Sequence, residues 1–360
     1  MSNRIKNKVV TISFLFVIII VLIANLMKEN TEISLSERRK LQQFPELSIK
    51  NLFNNSFSEK FDKYAMDQFI QRENVRSMKA NVEINVFKKQ DSNNIYEYER
   101  YLIEQIYPLN EKSINNMVKK INEINEKYLD ETNNVYYSII PDKNYFVMDN
   151  HLKLDYKKMQ DMMNLEWAEY INIFDCLDLS CYYKTDSHWK QECLQKVICK
   201  MATQMNLTLN NNYEEKKIVD FRGVYSGQLP IKVETDEIRI LTNDMLSKCT
   251  VYNYEKNKTA EIYDLEKKNS ADKYDIYLSG ATPLLTIENP NVAQDKELIV
   301  FRDSYGSSLV PLLVEGYDKI TVIDTRYISP KILVDYVEFN NKDVLFIYST
   351  LLINNSFSLK

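Results

Sequence analysis

A chain of 360 residues, 44% of them hydrophobic, has enough apolar material for one large folded domain or two small ones. Its formal charge of −5 leaves no polybasic footprint and argues against nucleic acid as a partner. Only five glycines occur, none at G-x-G-x-x-G or G-x-x-x-x-G-K spacing, so neither dinucleotide nor P-loop nucleotide binding is expected and no cofactor is implied.

Residues 9–27 form a nearly unbroken apolar run, long enough to cross the hydrocarbon core of a bilayer as a helix. Arg4, Lys6 and Lys8 precede it, which predicts a cytoplasmic N-terminus, a single pass, and everything after Lys28 outside. A cleaved signal peptide is the alternative, but no clear small-x-small site lies beside residues 25–29. Residues 1–28 are therefore expected to be a cytoplasmic tail and membrane anchor. Residues 31–53 read as a polar juxtamembrane linker. Apolar residues at helical spacing over 57–69 and 75–86 predict a helical cap, with Asp67 and Arg72 as a structural ion pair. Residues 94–104, rich in Tyr and Ile, predict a hairpin. Linker, cap and hairpin together make up 29–105.

From residue 106 to 360 the pattern becomes α/β. A helix over 114–128 is followed by a strand over 135–140, a helix over 156–170, a strand over 171–174 and a helix over 192–205. Residues 206–296 look strand-poor. The alternation resumes with strands at 298–302, 319–323 and 343–348, separated by helices at 307–315 and 330–337. Such alternation implies a doubly wound, mostly parallel sheet. The five cysteines, 176, 181, 193, 199 and 249, are odd in number, so they cannot all pair within the chain. They read as buried thiols, with a Cys176–Cys181 bridge as the alternative in an oxidising exterior. No cysteine–histidine cluster has zinc spacing.

The apolar run 297–301 followed by Arg302-Asp303-Ser304 places Ser304 at the C-terminal end of a strand and before a helix, where α/β sheets bind ligands and where backbone N–H groups can face an oxyanion. Ser304 is accordingly a candidate nucleophile; its alternative is a helix cap. A serine nucleophile needs a base, and only His151 and His188 exist. His188 has Asp186 two residues upstream to orient it, and is preferred. His151 has Asp149 at the same spacing but reads as a turn before a helix. Candidate substrate or oxyanion contacts are Tyr305, Arg326, Trp189 and Lys143. For Trp189 core packing competes with sugar stacking, for Arg326 an ion pair with Asp324, and for Lys143 a surface turn beside Asp142.

Phe301-Arg-Asp-Ser-Tyr305 and Thr185-Asp-Ser-His-Trp189 together resemble the DHHW family, which is similar to the SGNH-like domains of alginate-type polysaccharide O-acetyltransferases. The likeness extends over residues 31–350, through Ser36-Glu-Arg-Arg39, Asp67-Gln-Phe69, Ile140-Pro-Asp-Lys143, Tyr274-Asp-Ile-Tyr-Leu278 and Ile323-Asp-Thr-Arg-Tyr327. Ser187 departs from the family by standing in place of the first histidine, and Arg302 stands where the related acetyltransferases often have glycine. The resemblance implies an SGNH-hydrolase-like fold, Ser304, His188 and Asp186 as a catalytic triad, and transfer of acetyl groups to a polysaccharide outside the cell. It also implies a membrane-bound O-acyltransferase partner that delivers the acetyl donor. A carbohydrate esterase and a decayed glycan-binding subunit are the competing readings.

Overall fold

The computed structural model describes residues 3–148, 151–210, 212–292 and 296–360. The described residues divide into two compact units, one of 1–92 with 227–232 and one of 93–226 with 233–360.

The smaller unit begins with α1 (Asn3–Met27), an exposed apolar helix long enough to cross a membrane. The segment after it is not a bare linker. It carries the two-residue strands β1 (Ile33–Ser34) and β2 (Arg39–Lys40) and the short helix α2 (Ile49–Phe53). Helices α3 (Ser56–Asp67) and α4 (Arg72–Asn81) follow as expected, and α4 runs on into a π-helical turn at Val82–Val86. Asp67 does pair with Arg72, at 3.5 Å, but its stronger partner is Arg39, whose two Nη atoms reach the carboxylate oxygens at 2.9 and 2.6 Å. That fork holds Asp67 below its ordinary carboxylate pKa, first through the Arg39 hydrogen bonds.

The larger unit opens with the predicted hairpin, β3 (Ile95–Tyr98) and β4 (Tyr101–Glu104). Helix α5 (Glu111–Tyr128) starts on an Asn110 side-chain cap and turns Ile114, Met117, Ile121 and Ile124 inward. Then come β5 (Asn134–Ile140), α6 (Tyr156–Met162), β6 (Glu169–Tyr170), α7 (Gln195–Gln204), β7 (Glu214–Phe221), α8 (Val224–Gln228), β8 (Asp236–Thr242), β9 (Thr250–Asn253), β10 (Lys258–Ala260) and β11 (Leu284–Glu288). The chain closes with β12 (Glu297–Arg302), α9 (Gly306–Leu309), β13 (Lys319–Ile323), β14 (Asp343–Ser349) and α10 (Thr350–Ile353).

Eight strands form one sheet in the order β10-β9-β11-β13-β12-β14-β5-β6, in which β13, β12, β14, β5 and β6 are mutually parallel and β11, β9 and β10 add an antiparallel edge. The sheet is covered on both faces. Leu298 and Val300 of β12 join one core with Val197, Ile198 and Met201 of α7, whereas Ile299 and Phe301 join the other with Met117 and Ile121 of α5. Strands buried on both faces have no polar side to show, which is why β12 reads as a continuous apolar run. This is the SGNH-hydrolase-like, mostly parallel α/β architecture expected.

Four expectations are corrected. Residues 206–296 are not strand-poor: β7 to β11 lie there, three of them in the main sheet. The helix from 156 stops at Met162, because Met163 and Leu165 turn into the core and residues 169–170 pair with the edge of β5, two residues ahead of the expected strand. The helix at 307–315 is α only to Leu309 and 3₁₀ from Val310 to Gly316, since Pro311 has no N–H with which to continue the α ladder. Over 330–337 the expected helix is likewise a 3₁₀ turn, Pro330–Asp335.

Candidate active site

The parallel strands all end on one rim. Their registers align Phe301 of β12 with Ile323 of β13 and with Phe346 of β14, and Ser349 of β14 with Ile140 of β5. The segments that follow carry Ser304, Arg326, Thr350 and Asp142. Buried carboxylates lace these ends together. Asp303 Oδ2 accepts from the backbone N–H and hydroxyl of Ser349 at 2.8 and 2.6 Å. Asp142 Oδ2 accepts from Thr350 Oγ1 at 2.7 Å, and its carboxylate also takes Tyr156 Oη and the Asn144 N–H. Desolvation is the main influence on Asp142 and raises its pKa.

Ser304, half-exposed on this rim, meets His188 across 116 residues of sequence. His188 Nε2 lies 2.8 Å from Ser304 Oγ, and His188 Nδ1 lies 2.6 Å from Asp186 Oδ1. This is hydrogen-bond reach for a nucleophile, a base and an orienting carboxylate. The imidazole is fixed in plane by Tyr274, stacked at 3.8 Å between centroids and 11° between planes, with the Tyr305 ring against it at 4.8 Å. His151 instead stacks on Tyr96, and Asp149 lies outside the described residues.

The His188 loop is tied to the serine turn by further bonds. Trp189 Nε1 donates to Tyr305 O at 3.1 Å and Ser308 Oγ at 2.9 Å, Gln191 Nε2 donates to Ser308 O at 2.8 Å, and Tyr305 Oη donates to Ser187 O at 2.6 Å. From behind, Asp236 receives the N–H of Lys184 at 2.7 Å and both the N–H and hydroxyl of Thr185, at 2.8 and 2.6 Å. Gly223 N–H donates to Thr185 Oγ1 at 2.8 Å, and Val224 N–H to Asp186 Oδ2 at 3.0 Å. Tyr274, Gly223, Val224 and Asp236 were not singled out for the site from sequence. Tyr274 sat in a quoted motif; the other three lie 35–50 residues beyond Asp186 with no local pattern to mark them.

The four expected substrate or oxyanion contacts are placed differently. Trp189 is fully buried, so it packs and positions rather than offering a face to a sugar. Tyr305 is buried with its hydroxyl used on Ser187, and its N–H donates to Asp303 Oδ1 at 3.1 Å. Lys143 is buried as well, its Nζ donating to the carbonyls of Leu102 and Tyr183; desolvation lowers its pKa to about 7. Arg326 forks onto Asp324, Nε to Oδ1 at 2.9 Å and Nη2 to Oδ2 at 2.6 Å, the ion pair anticipated as its alternative. Asp324 also faces the fully buried Arg302 at 3.4 Å. Arg302 supports the turn: it donates to Gly280 O at 3.1 Å, and its Cβ lies 2.6 Å from where a Cβ on residue 306 would sit, which explains glycine there.

The backbone at the turn is mostly committed. Besides Tyr305 N–H, Gly306 N–H bonds Asp303 O and Ser307 N–H bonds Ser304 O, both at 3.1 Å. The Ser304 N–H has no hydrogen-bond partner among the described residues. The helix start thus offers fewer open donors than its sequence suggests.

Fold and rim define the class: a mostly parallel α/β domain in which Asp186, His188 and Ser304 come within hydrogen-bond reach at the carboxyl ends of the parallel strands. The family model described as DHHW protein matches residues 156–323, which bears out the resemblance read from the sequence. A DHHW family protein from Eubacterium siraeum DSM 15702 is similar in structure, with a TM-score of 0.60 and 16% identity over 74% of this chain and 94% of that one. PatB1 of Bacillus cereus superposes with a TM-score of 0.58 and 16% identity over 72% of this chain and 96% of its own. The O-acetyltransferase domain of Pseudomonas putida AlgJ gives a TM-score of 0.46 and 10% identity over 72% of this chain and 92% of that domain. A comparison with curated proteins found no match.

Proposed function

We propose that this protein is a membrane-anchored serine O-acetyltransferase that moves acetyl groups onto hydroxyls of a polysaccharide outside the cell. The observation that carries the reading is the continuous path from Asp186 Oδ1 through His188 to Ser304 Oγ, at 2.6 and 2.8 Å. His188 Nε2 takes the hydroxyl proton while Ser304 Oγ bonds to the acetyl carbon of the donor. It then returns the proton to the departing oxygen as the donor's ester bond breaks. A sugar hydroxyl, deprotonated by the same nitrogen, displaces Ser304 in the second half. Asp186 holds the ring and stabilises the imidazolium. The unpartnered Ser304 N–H is the donor we assign to the oxyanion.

The anchor reading is supported within the smaller unit. Asn25, inside the apolar helix, accepts the Ile70 N–H at 2.7 Å, a bond that cleavage of α1 would remove, and Lys28 Nζ, just past the helix, donates to Gln68 O at 3.3 Å. The donor is expected from a membrane-bound O-acyltransferase partner, because acetyl-CoA remains in the cytoplasm.

The test is an acetyl-enzyme trap. Incubation with p-nitrophenyl acetate and acid quench should add one acetyl group to the peptide holding Ser304. Ser304→Ala should abolish the adduct, and His188→Ala should slow its appearance by orders of magnitude. Label that passes to added oligosaccharide faster than to water supports transfer; passage to water alone, whatever the sugar, makes the protein an esterase. Equal labelling of wild type and Ser304→Ala would reduce Ser304 to a turn residue and refute the reading.

A further inference from the structure

Residues 181–183 and 188–190 run antiparallel. Tyr182 and Trp189 form a bridge pair, Tyr183 N–H donates to His188 O at 3.1 Å, and Lys190 N–H donates to Cys181 O at 2.7 Å. The turn joining these segments, 184–187, contains Asp186, so the loop is a narrow finger with Asp186 and His188 at its tip. Just past its base, the 3₁₀ turn Gln191–Cys193 folds the chain back, with Cys193 N–H on Lys190 O at 3.2 Å. That return sets Cys193 one 3₁₀ turn past Lys190, the residue that faces Cys181, and so puts the two thiols side by side at the base of the finger. The spacing of twelve residues hides this in the sequence, which reads as buried thiols and offers a Cys176–Cys181 bridge only as the alternative. Cys176 instead lies beside Asp175, and Cys249 donates to the Met245 carbonyl.

We propose that Cys181 and Cys193 are a dithiol–disulfide pair whose bond, formed outside the membrane, closes a ring around the finger and clamps Asp186 and His188 in place. The pair suits exchange. Cys193 is partly exposed and reachable, and its neighbouring thiol favours the Cys181 thiolate, lowering the Cys181 pKa to about 7. The oxidant is an external disulfide, carried by a small thiol or by a thiol oxidoreductase. One cysteine sulfur displaces a thiolate from it, forming a mixed disulfide. The second cysteine sulfur then displaces the other thiolate. Two S–H bonds are lost, one S–S bond forms in the protein, and the external disulfide leaves as two thiols. Closing a ring restricts the open states of the loop it contains.

The clamp rests on His188 and Asp186 acting as proposed above; the bond itself does not. Full-length protein in membranes is exposed to oxidised glutathione or to dithiothreitol, acid-quenched, alkylated and mapped by mass spectrometry. The oxidised sample should contain the Cys181 and Cys193 peptides joined, two hydrogens lighter than the dithiol, with Cys249 alkylated after unfolding. Alkyl groups or lasting glutathione adducts on both Cys181 and Cys193 would overturn the pairing. In parallel, dithiothreitol should slow acetylation of Ser304 several-fold in wild type and leave the Cys181→Ser/Cys193→Ser double variant unchanged. A joined pair with an unaltered acetylation rate would overturn the clamp. A joined pair in a protein that never labels at Ser304 would instead defeat the transferase reading and leave the disulfide standing.

Discussion

Gly223→Ala is the sharpest probe of how the site is held, because this glycine touches the orienting carboxylate directly. A Cβ built on Gly223 would stand 2.2 Å from Asp186 Cβ, 2.4 Å from its Oδ2 and 2.5 Å from its Cα. Ordinary contact begins near 3.4 Å, so the two segments must separate by 1.2 Å (3.4 less 2.2), because Asp186 Cβ and Cα are not the free end of a flexible side chain that could swing aside. Separation breaks the bonds from Gly223 N–H to Thr185 and from Val224 N–H to Asp186. One neutral and one charged bond together cost about 3 kcal/mol, which for a domain of this size lowers Tm by roughly 6–12 °C. The chemistry should suffer more than stability. A misplacement of about 1 Å at an orienting group costs on the order of 100-fold in rate, and here it would be passed straight to His188 Nδ1. The assay is the rate of acetyl-Ser304 formation beside a thermal melt. Gly316→Ala is the control, since its Cβ would meet only the methyl tips of Leu207 at 3.1 and 3.2 Å. Wild-type acetylation by Gly223→Ala would refute the coupling of Asp186 to catalysis, whatever happened to Tm.

Asp236→Asn turns one acceptor toward Thr185 into a donor, so acetylation of Ser304 should fall about 10- to 100-fold, with Asp236→Ala no better; an unchanged rate sinks the positioning role. Lys143, lowered to about 7 in the fold by burial, sheds its proton there while the unfolded chain keeps its own up to the ordinary lysine range. Its contribution to stability is therefore poorest below about pH 7 and improves as pH rises toward 10. Urea unfolding of wild type should gain on Lys143→Met across that window, and parallel pH profiles for the two would contradict it. A C-terminally tagged chain should sediment with membranes without detergent and be open to external protease, and full-length protein in the cytosol would refute the anchor. Asn25→Ala should leave the chain in the membrane but loosen 68–70, seen as faster amide exchange at Ile70.

Ser304 was legible because a strand buried on both faces has to be apolar, and its abrupt end in Arg-Asp-Ser marks the sheet's edge. His188 was legible by scarcity, with one competing histidine in the chain. What the sequence could not show is burial of groups that look polar or exposed. Trp189 and Lys143 sit in motifs that suggest contact with substrate, yet both are spent on carbonyls and a hydroxyl inside the protein, because neighbours from residues 102, 183, 305 and 308 close over them. Those neighbours come from three separate segments, and no local periodicity encodes the meeting.

The largest error, the supposed strand-poor stretch from 206 to 296, has a physical cause that bears on mechanism. Strands β7 and β8 form a two-stranded ribbon outside the main sheet, and residues 214–217 of β7 are exposed on both sides, so no apolar alternation announces a strand. Yet this same stretch supplies Gly223, Val224, Asp236 and Tyr274, which bond or stack against Thr185, Asp186 and His188. The parallel sheet therefore carries Ser304, while the insertion supplies bonds and a ring that hold the Thr185–His188 segment. Two separately built halves that must meet within hydrogen-bond distance explain why so many bonds cross between 185–191 and 304–308. Changes to the insertion, remote from Ser304 in sequence, should lower the rate of acetylation before they lower the binding of an acetyl ester, because they move the base and leave the nucleophile where it is.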